Sequence, residues 1–133
     1  MIRTRGKKQR RGAAAVEMAL VMPVLFLMLF GIIEFGWMLS VQNSLVNAAR
    51  EGARTGALLG YGAEDMQERI TEVLTPMGLQ DKVSVTLTEA TDGNPSVGVE
   101  LSVQRSQISL LQNFFGFSDG TLQARCWMRK EGM

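Results

Sequence analysis

The chain has 133 residues, with 14 lysines and arginines against 13 aspartates and glutamates. It contains one cysteine and no histidine, which excludes an intramolecular disulfide, a cysteine metal cluster and the usual histidine proton shuttle. The small net charge conceals an asymmetry, because six basic residues and no acidic residue precede Gly12. The remainder is net acidic and has no basic surplus for binding nucleic acid.

Residues 1–12 are interpreted as a short basic leader. Four of its charges lie closest to the apolar segment that follows: Lys7, Lys8, Arg10 and Arg11. Alone, such a run is also typical of nuclear or nucleic-acid-binding patches. Because it directly precedes an apolar segment, we interpret it as a topology signal that keeps the N-terminus in the cytoplasm.

The segment from Ala13 to Val41 is predicted to be a helix that crosses a membrane. At about 1.5 Å per residue it exceeds the roughly 30 Å of a hydrocarbon core, and Met18 to Ile33 carry no charge. Pro23 removes a helical hydrogen bond and predicts a bend, which transmembrane helices tolerate. Glu17 is the anomaly of the segment, because an acid this close to lipid needs a partner.

Glu34 and Trp37 lie at the other end of the charge-free stretch. Trp37 fits an aromatic anchor at a membrane surface. Glu34 has two interpretations that the sequence leaves open: it marks the far membrane surface, or it pairs with a basic group on a partner protein.

Beyond Val41 the helix is expected to continue into water with a ridge of small side chains. The members of this ridge recur every four residues and therefore form one inclined row on the helix: Ser40, Ser44, Ala48, Gly52 and Gly56. Such a row lets a second helix approach closely, as small residues do between membrane helices. The alternative is that the ridge packs only on the globular part of the same chain. The sequence does not decide between the two.

Together these residues resemble the TadE-like family. The likeness rests on two runs, RRGAAAVEMALVMP from Arg10 and NAAREGAR from Asn47, within roughly residues 10–58. The family consists of pseudopilins, or minor pilins, of the tight-adherence pilus, a branch of the type IV pilus and type II secretion superfamily. Its major pilins are shorter and carry Glu-Tyr where this chain has Glu17-Met18. This difference favours a minor component.

The resemblance implies that a prepilin peptidase cleaves after Gly12, which would make Ala13 the new first residue. It implies further partners, namely other pilins and the pilus assembly platform, and a single-pass location in the bacterial inner membrane with the C-terminal domain outside the cytoplasm. The Ala13 ammonium and Glu17 would lie roughly 6 Å apart within one chain, or in direct contact across two staggered subunits. The resemblance implies the second arrangement, and the sequence itself does not choose.

The rest of the chain is predicted to form a small globular domain after a flexible break at Gly60-Tyr61-Gly62. Apolar residues at helical spacing predict a helix over Ala63–Thr75. Strict alternation then predicts three strands: Lys82–Glu89, Val97–Gln104 and Thr121–Arg129. The first two should form an antiparallel hairpin, and the apolar connection Ile108–Phe117 should be short helix or coil.

The expected fold class is therefore α+β and pilin-like, with a long N-terminal helix packed on a three-stranded antiparallel sheet. Its core should include Val83, Val85, Val99, Leu101, Leu122 and Met128, and Cys126 is interpreted as a small core residue. The expected organisation is a leader at 1–12, a transmembrane and assembly helix at 13–58, and an extracytoplasmic domain at 59–133.

No nucleophile elbow, phosphate-binding loop or metal-ligand spacing is found in the sequence. The acids Glu64, Asp65, Glu68 and Glu72 are interpreted as the solvated face of a helix, the alternative being a weak divalent-ion site. We therefore expect no enzyme, no cofactor and no metal.

The leading functional hypothesis is an assembly protein, a membrane-held pseudopilin of a tight-adherence pilus. The alternative from another class is a signal-anchored periplasmic binding or scaffold protein that never assembles. A membrane-tethered enzyme is disfavoured by the lack of convergent polar residues. Cleavage at Gly12 discriminates between the first two, because an anchor does not need it.

Overall fold

One helix accounts for most of the N-terminal half of the chain. The computed structural model describes the backbone of residues 6–111 and 119–132, and the side chains of these ranges from Gly12 onward. Helix α1 spans Gly6–Ala57 and has 52 residues, which gives a length of about 78 Å at 1.5 Å per residue. Pro23 lies inside it. The prediction of one long helix is confirmed, and this helix begins before the expected leader junction at Gly12.

Helix α1 has different surroundings in its two halves. Large apolar side chains are exposed from Val16 to Leu39, with Leu20 and Phe35 at 72% and 73% exposure. From Val41 onward, apolar side chains on one face are fully buried at helical spacing, among them Leu45, Ala48, Ala49 and Ala53. The second half of α1 therefore supplies a wall of the core, whereas the large apolar side chains of the first half stay exposed from Val16 to Ile33.

A short second helix, α2, follows at Ala63–Leu74. Its start is fixed because the Gly62 N–H donates to Asp65 Oδ2 over 2.9 Å and the Ala63 N–H donates to Glu89 Oε1 over 2.8 Å. It ends one residue earlier than predicted, and Thr75–Met77 form a single 3-10 turn. Gly78 then takes a left-handed conformation with φ of 64°, which reverses the chain direction.

Three strands complete the fold: β1 at Ser84–Thr88, β2 at Ser96–Gln104 and β3 at Thr121–Arg129. They form one antiparallel sheet in the order β1-β2-β3. Helix α3, a single turn at Arg105–Ile108, follows β2. The α+β prediction is confirmed, with strand boundaries shifted by up to two residues. The part of the predicted connection from residue 112 to Phe117 lies outside the described residues.

The core lies between the second half of α1, α2 and one face of the sheet. The central strand β2 buries its alternating residues Val97, Val99, Leu101 and Val103 completely. The outer strands and the residue just before β1 contribute half-buried side chains that pack against this core: Val83, Val85, Leu122, Cys126 and Met128. The alternation thus identified the correct faces, and the central strand is the more deeply buried because both of its edges are paired.

Candidate assembly and membrane-boundary site

The expected cleavage junction and Glu17 lie on the uncovered first half of α1. Gly12, Ala13 and Glu17 are all exposed, and a Cβ added at Gly12 would meet no atom within 4 Å. Among the side chains that the structure describes, Glu17 takes part in no ion pair. The backbone of α1 also carries Lys7, Lys8, Arg10 and Arg11. Among the described residues, no other helix or strand covers the junction and no side chain forms an ion pair with Glu17.

The small-residue ridge changes its surroundings along its length. Ser40 is exposed and Ser44 is half-buried, whereas Ala48, Gly52 and Gly56 are buried. A Cβ on Gly52 would lie 2.6 Å from Ile70 Cγ1 of α2, and one on Gly56 would lie 2.8 Å from Val97 Cγ1 of β2. The two glycines therefore allow α2 and the sheet of the same chain to approach α1 closely. Only the Ser40 end stays open to a second helix.

Glu34 is buried, although it stands next to the exposed apolar half of α1. Its side chain is 4% exposed, and its Oε2 accepts hydrogen bonds from the backbone N–H groups of Leu110 and Leu111 over 3.1 and 3.2 Å. One turn further, Trp37 Nε1 donates to the Ile108 carbonyl over 2.7 Å. Side chains of α1 thus bind the backbone at the end of α3 and just after it, at Ile108, Leu110 and Leu111.

These contacts differ from the roles expected for the two residues. Trp37 was interpreted as an anchor in the membrane surface, but its indole N–H is used within the chain and its ring packs against the core. Glu34, interpreted as marking the far membrane surface or as pairing with a basic group on a partner protein, is in addition enclosed by its own chain. The sequence contains no local signal for either contact, since the bonds of Glu34 join residues 76 and 77 positions apart.

Glu34 also lines a groove between α1 and the sheet. The groove has a volume of about 540 Å³, and one face of α1 forms most of its wall: Gly31, Glu34, Phe35, Met38, Leu39 and Gln42. Arg105 and Leu122 line the other side. Glu34 Oε1 has no hydrogen-bond partner among the described residues. Neither Glu34 nor Arg105 belongs to an ion pair of the described part of the chain.

Two of the four acids of α2, Asp65 and Glu72, take part in contacts at the protein surface, and Glu64 and Glu68 are exposed. Asp65 caps the helix, and Arg69 joins Glu72 over 2.6 Å and Glu51 of α1 over 3.4 Å. The hydrogen bond to Glu72 raises the pKa of Arg69 above its ordinary value. Within the residues described, no cluster of acids, histidines or cysteines is suited to hold a metal ion.

The comparisons with known proteins agree with the resemblance seen in the sequence. Within the described residues, one helix is long and apolar enough to cross a membrane, at Gly12–Ala57. Residues 12–54 match the family model described as TadE-like protein. Neither a curated protein nor a solved structure matches the chain.

Proposed function

We propose, from the match of residues 12–54 to the TadE-like protein family, that this chain is a minor pilin that takes part in assembling a tight-adherence pilus. The position of the match carries the proposal, because it begins at Gly12, the last residue of the expected leader. The architecture supports it as well. An assembly subunit needs an apolar helix that can leave lipid for contacts with other subunits, and α1 exposes such a surface from Val16 to Leu39.

In this function the chain is first held in the bacterial inner membrane by α1, with its globular domain outside the cytoplasm. A prepilin peptidase removes residues 1–12 at the cytoplasmic face. The mature protein then associates with other pilins and with the assembly platform. The protein acts as a structural subunit, and its work is binding and positioning.

Glu17 provides the assembly contact in this proposal. Cleavage creates an ammonium on Ala13 next to lipid, where an isolated charge is costly. Glu17 is exposed and unpaired among the described side chains, and is therefore available to the ammonium of a neighbouring subunit. Such a contact satisfies both charges and fixes the axial register of the two helices.

The proposal is tested first by the mass of the mature protein. Protein isolated from the membranes of its native host should begin at Ala13. Gly12→Val should abolish processing, because the added side chain obstructs close approach of the peptidase to the scissile backbone. Gly36→Val is the matched control, since Gly36 also has open space around its Cβ position, and should be processed normally. Retention of residues 1–12 in the native protein would favour the non-assembling anchor.

The second test separates assembly from folding and insertion. Glu17→Ala and Glu17→Gln should be produced, inserted and cleaved, yet fail to restore pili or recover other pilins in a deletion strain. The reason is that an unpaired ammonium remains buried at each contact between subunits, at a cost of several kcal/mol. Glu64→Gln, at an exposed acid of α2, should restore pili fully. Normal piliation with both Glu17 variants at wild-type protein levels would refute the assembly role.

A further inference from the structure

The groove at Glu34 combines one acidic and one basic side chain with apolar walls. Glu34 lines it from α1, and Arg105 lines it from the sheet side. The two do not pair with each other or with another described residue. A carboxylate that is 4% exposed and has one oxygen without a partner is costly in an apolar setting. The groove therefore favours a ligand that carries a cationic hydrogen-bond donor for Glu34.

The position of the groove indicates where such a ligand comes from. Glu34 directly follows the charge-free stretch that ends at Ile33, so in the proposed function it lies at the outer surface of the membrane. On the membrane side of the groove, α1 exposes apolar side chains, with Met28 at 60% and Ile32 at 68%. In a membrane this surface of α1 is covered by acyl chains. The adjacent ligand is then a lipid headgroup.

We propose that this groove binds a phospholipid with an ethanolamine headgroup. Its ammonium has N–H donors for Glu34, and its phosphate is a strong acceptor for the guanidinium of Arg105. The two acyl chains extend from the groove towards the centre of the bilayer, along the exposed side chains of α1 that precede Glu34, such as Met28 and Ile32. Glu34 Oε1 has almost no accessible surface, so a small rotation of a side chain in the groove accompanies entry of the ammonium.

The charges of the groove select against other common lipids. A choline headgroup has the same net charge, but its quaternary nitrogen carries no N–H and cannot donate to Glu34. A phosphatidylglycerol headgroup supplies the phosphate for Arg105 but places no cation at Glu34. A phosphoethanolamine headgroup supplies both the phosphate for Arg105 and the ammonium for Glu34. This inference rests on the proposed membrane location of α1.

The test uses the full-length protein in vesicles of phosphatidylglycerol mixed with either phosphatidylethanolamine or phosphatidylcholine. Lipids that remain bound after extraction are identified by native mass spectrometry. We expect ethanolamine lipid to be retained at least about tenfold over choline lipid, which corresponds to about 1.4 kcal/mol. Soluble phosphoethanolamine should compete only weakly, because it lacks the acyl chains. Competition as strong as that of the lipid would assign the groove to a free phosphate compound and overturn the lipid assignment.

Two variants with matched controls assign the effect to the groove. Glu34→Gln keeps an oxygen that accepts from Leu110 and Leu111 but removes the charge, and Arg105→Gln leaves those hydrogen bonds intact. Each should reduce the preference for ethanolamine to less than about threefold, roughly half of the 1.4 kcal/mol. The controls Glu64→Gln and Arg54→Gln change exposed residues away from the groove and should retain the full preference. If Glu34→Gln does not fold, the lipid preference of Arg105→Gln alone decides whether the groove binds the ethanolamine lipid.

The outcomes distinguish this inference from the proposed function. Equal retention of ethanolamine and choline lipids by the inserted protein would overturn the lipid site and leave pilus assembly standing. A loss of bound pilins with Glu34→Gln, without any lipid preference, would assign the groove to a protein partner and also overturn it. Failure of the protein to enter vesicles would overturn both.

Discussion

At the scale of single residues, Glu34 joins parts of the chain that are 76 and 77 positions apart. It accepts two backbone hydrogen bonds in a buried setting, and Trp37 adds a third bond to the same segment. Together these bonds attach the end of α3 and the two residues Leu110 and Leu111 to α1. An acid that merely marked a membrane surface would be solvated, whereas this one is enclosed by its own chain.

We predict that Glu34→Leu destabilises the globular domain. The variant leaves the N–H groups of Leu110 and Leu111 without an acceptor, and an unsatisfied buried donor costs about 1–3 kcal/mol. In a domain of this size each kcal/mol lowers the melting temperature by about 4–8 °C. Thermal unfolding of the full-length protein in detergent, followed by near-UV circular dichroism, measures the shift.

The matched control for this prediction is Glu64→Leu, which removes an exposed acid from α2. It should change the free energy of unfolding by less than about 0.5 kcal/mol, as surface substitutions do. An unchanged melting temperature in Glu34→Leu would mean that water or other backbone groups replace the carboxylate, and would contradict the proposed anchoring role.

At the scale of elements, α1 is one continuous helix that meets two kinds of surroundings. Its first half exposes large apolar side chains, and its second half buries small ones against α2 and the sheet. Small residues in the second half of α1 let α2 and the sheet pack closely on this helix, because a short side chain allows the two backbones to approach each other. Composition therefore changes along the helix while the secondary structure does not.

We predict that Gly52→Ala destabilises the packing of α2 on α1. The new Cβ would lie 2.6 Å from Ile70 Cγ1 and 2.8 Å from Ile70 Cδ1, and Ile70 is fully buried and cannot turn away. Overpacking of this kind costs about 1–3 kcal/mol. Urea unfolding of the full-length protein, monitored by circular dichroism, should show a lower midpoint.

Gly36→Ala provides the comparison within the same helix. An added Cβ there meets no atom within 4 Å, and alanine is the better helix former. Its midpoint should equal or exceed that of wild type. If Gly52→Ala were as stable as Gly36→Ala, the glycine would not be required for the contact between α1 and α2.

At the scale of the whole molecule, charge is distributed unevenly along α1. Basic residues precede the apolar stretch, while uncharged Gln42 and Asn43 follow soon after it. Basic residues are retained on the cytoplasmic side during insertion. The arrangement therefore favours a cytoplasmic N-terminus and a globular domain on the other side.

We predict that a reporter active only in the cytoplasm is silent when fused after Met133. The same reporter on a chain lacking residues 12–41 should be active, because that chain has no apolar segment to carry it across the membrane. Replacing Lys7, Lys8, Arg10 and Arg11 by glutamine should restore part of the signal in the full-length fusion. Strong activity of the unmodified fusion would reverse the orientation.

The sequence predicted the elements that depend on local patterns. Apolar length predicted α1, and strict alternation predicted β1, β2 and β3 with their buried faces. The residues around Gly12 and Glu17 also predicted a resemblance to the TadE-like family, and residues 12–54 match that family model. These signals are readable because helix and strand periodicities are properties of neighbouring residues.

The tertiary structure decided which surfaces meet. Periodicity shows that Gly52 lies on a row of small residues, but Ile70 of α2 is its neighbour only because the chain turns back after Ala57. Likewise, the sequence places Glu34 beside an apolar stretch, and folding supplies the two N–H groups that bind it and the Arg105 across the groove. Long-range contacts of this kind depend on the packing of whole elements, which no local pattern specifies.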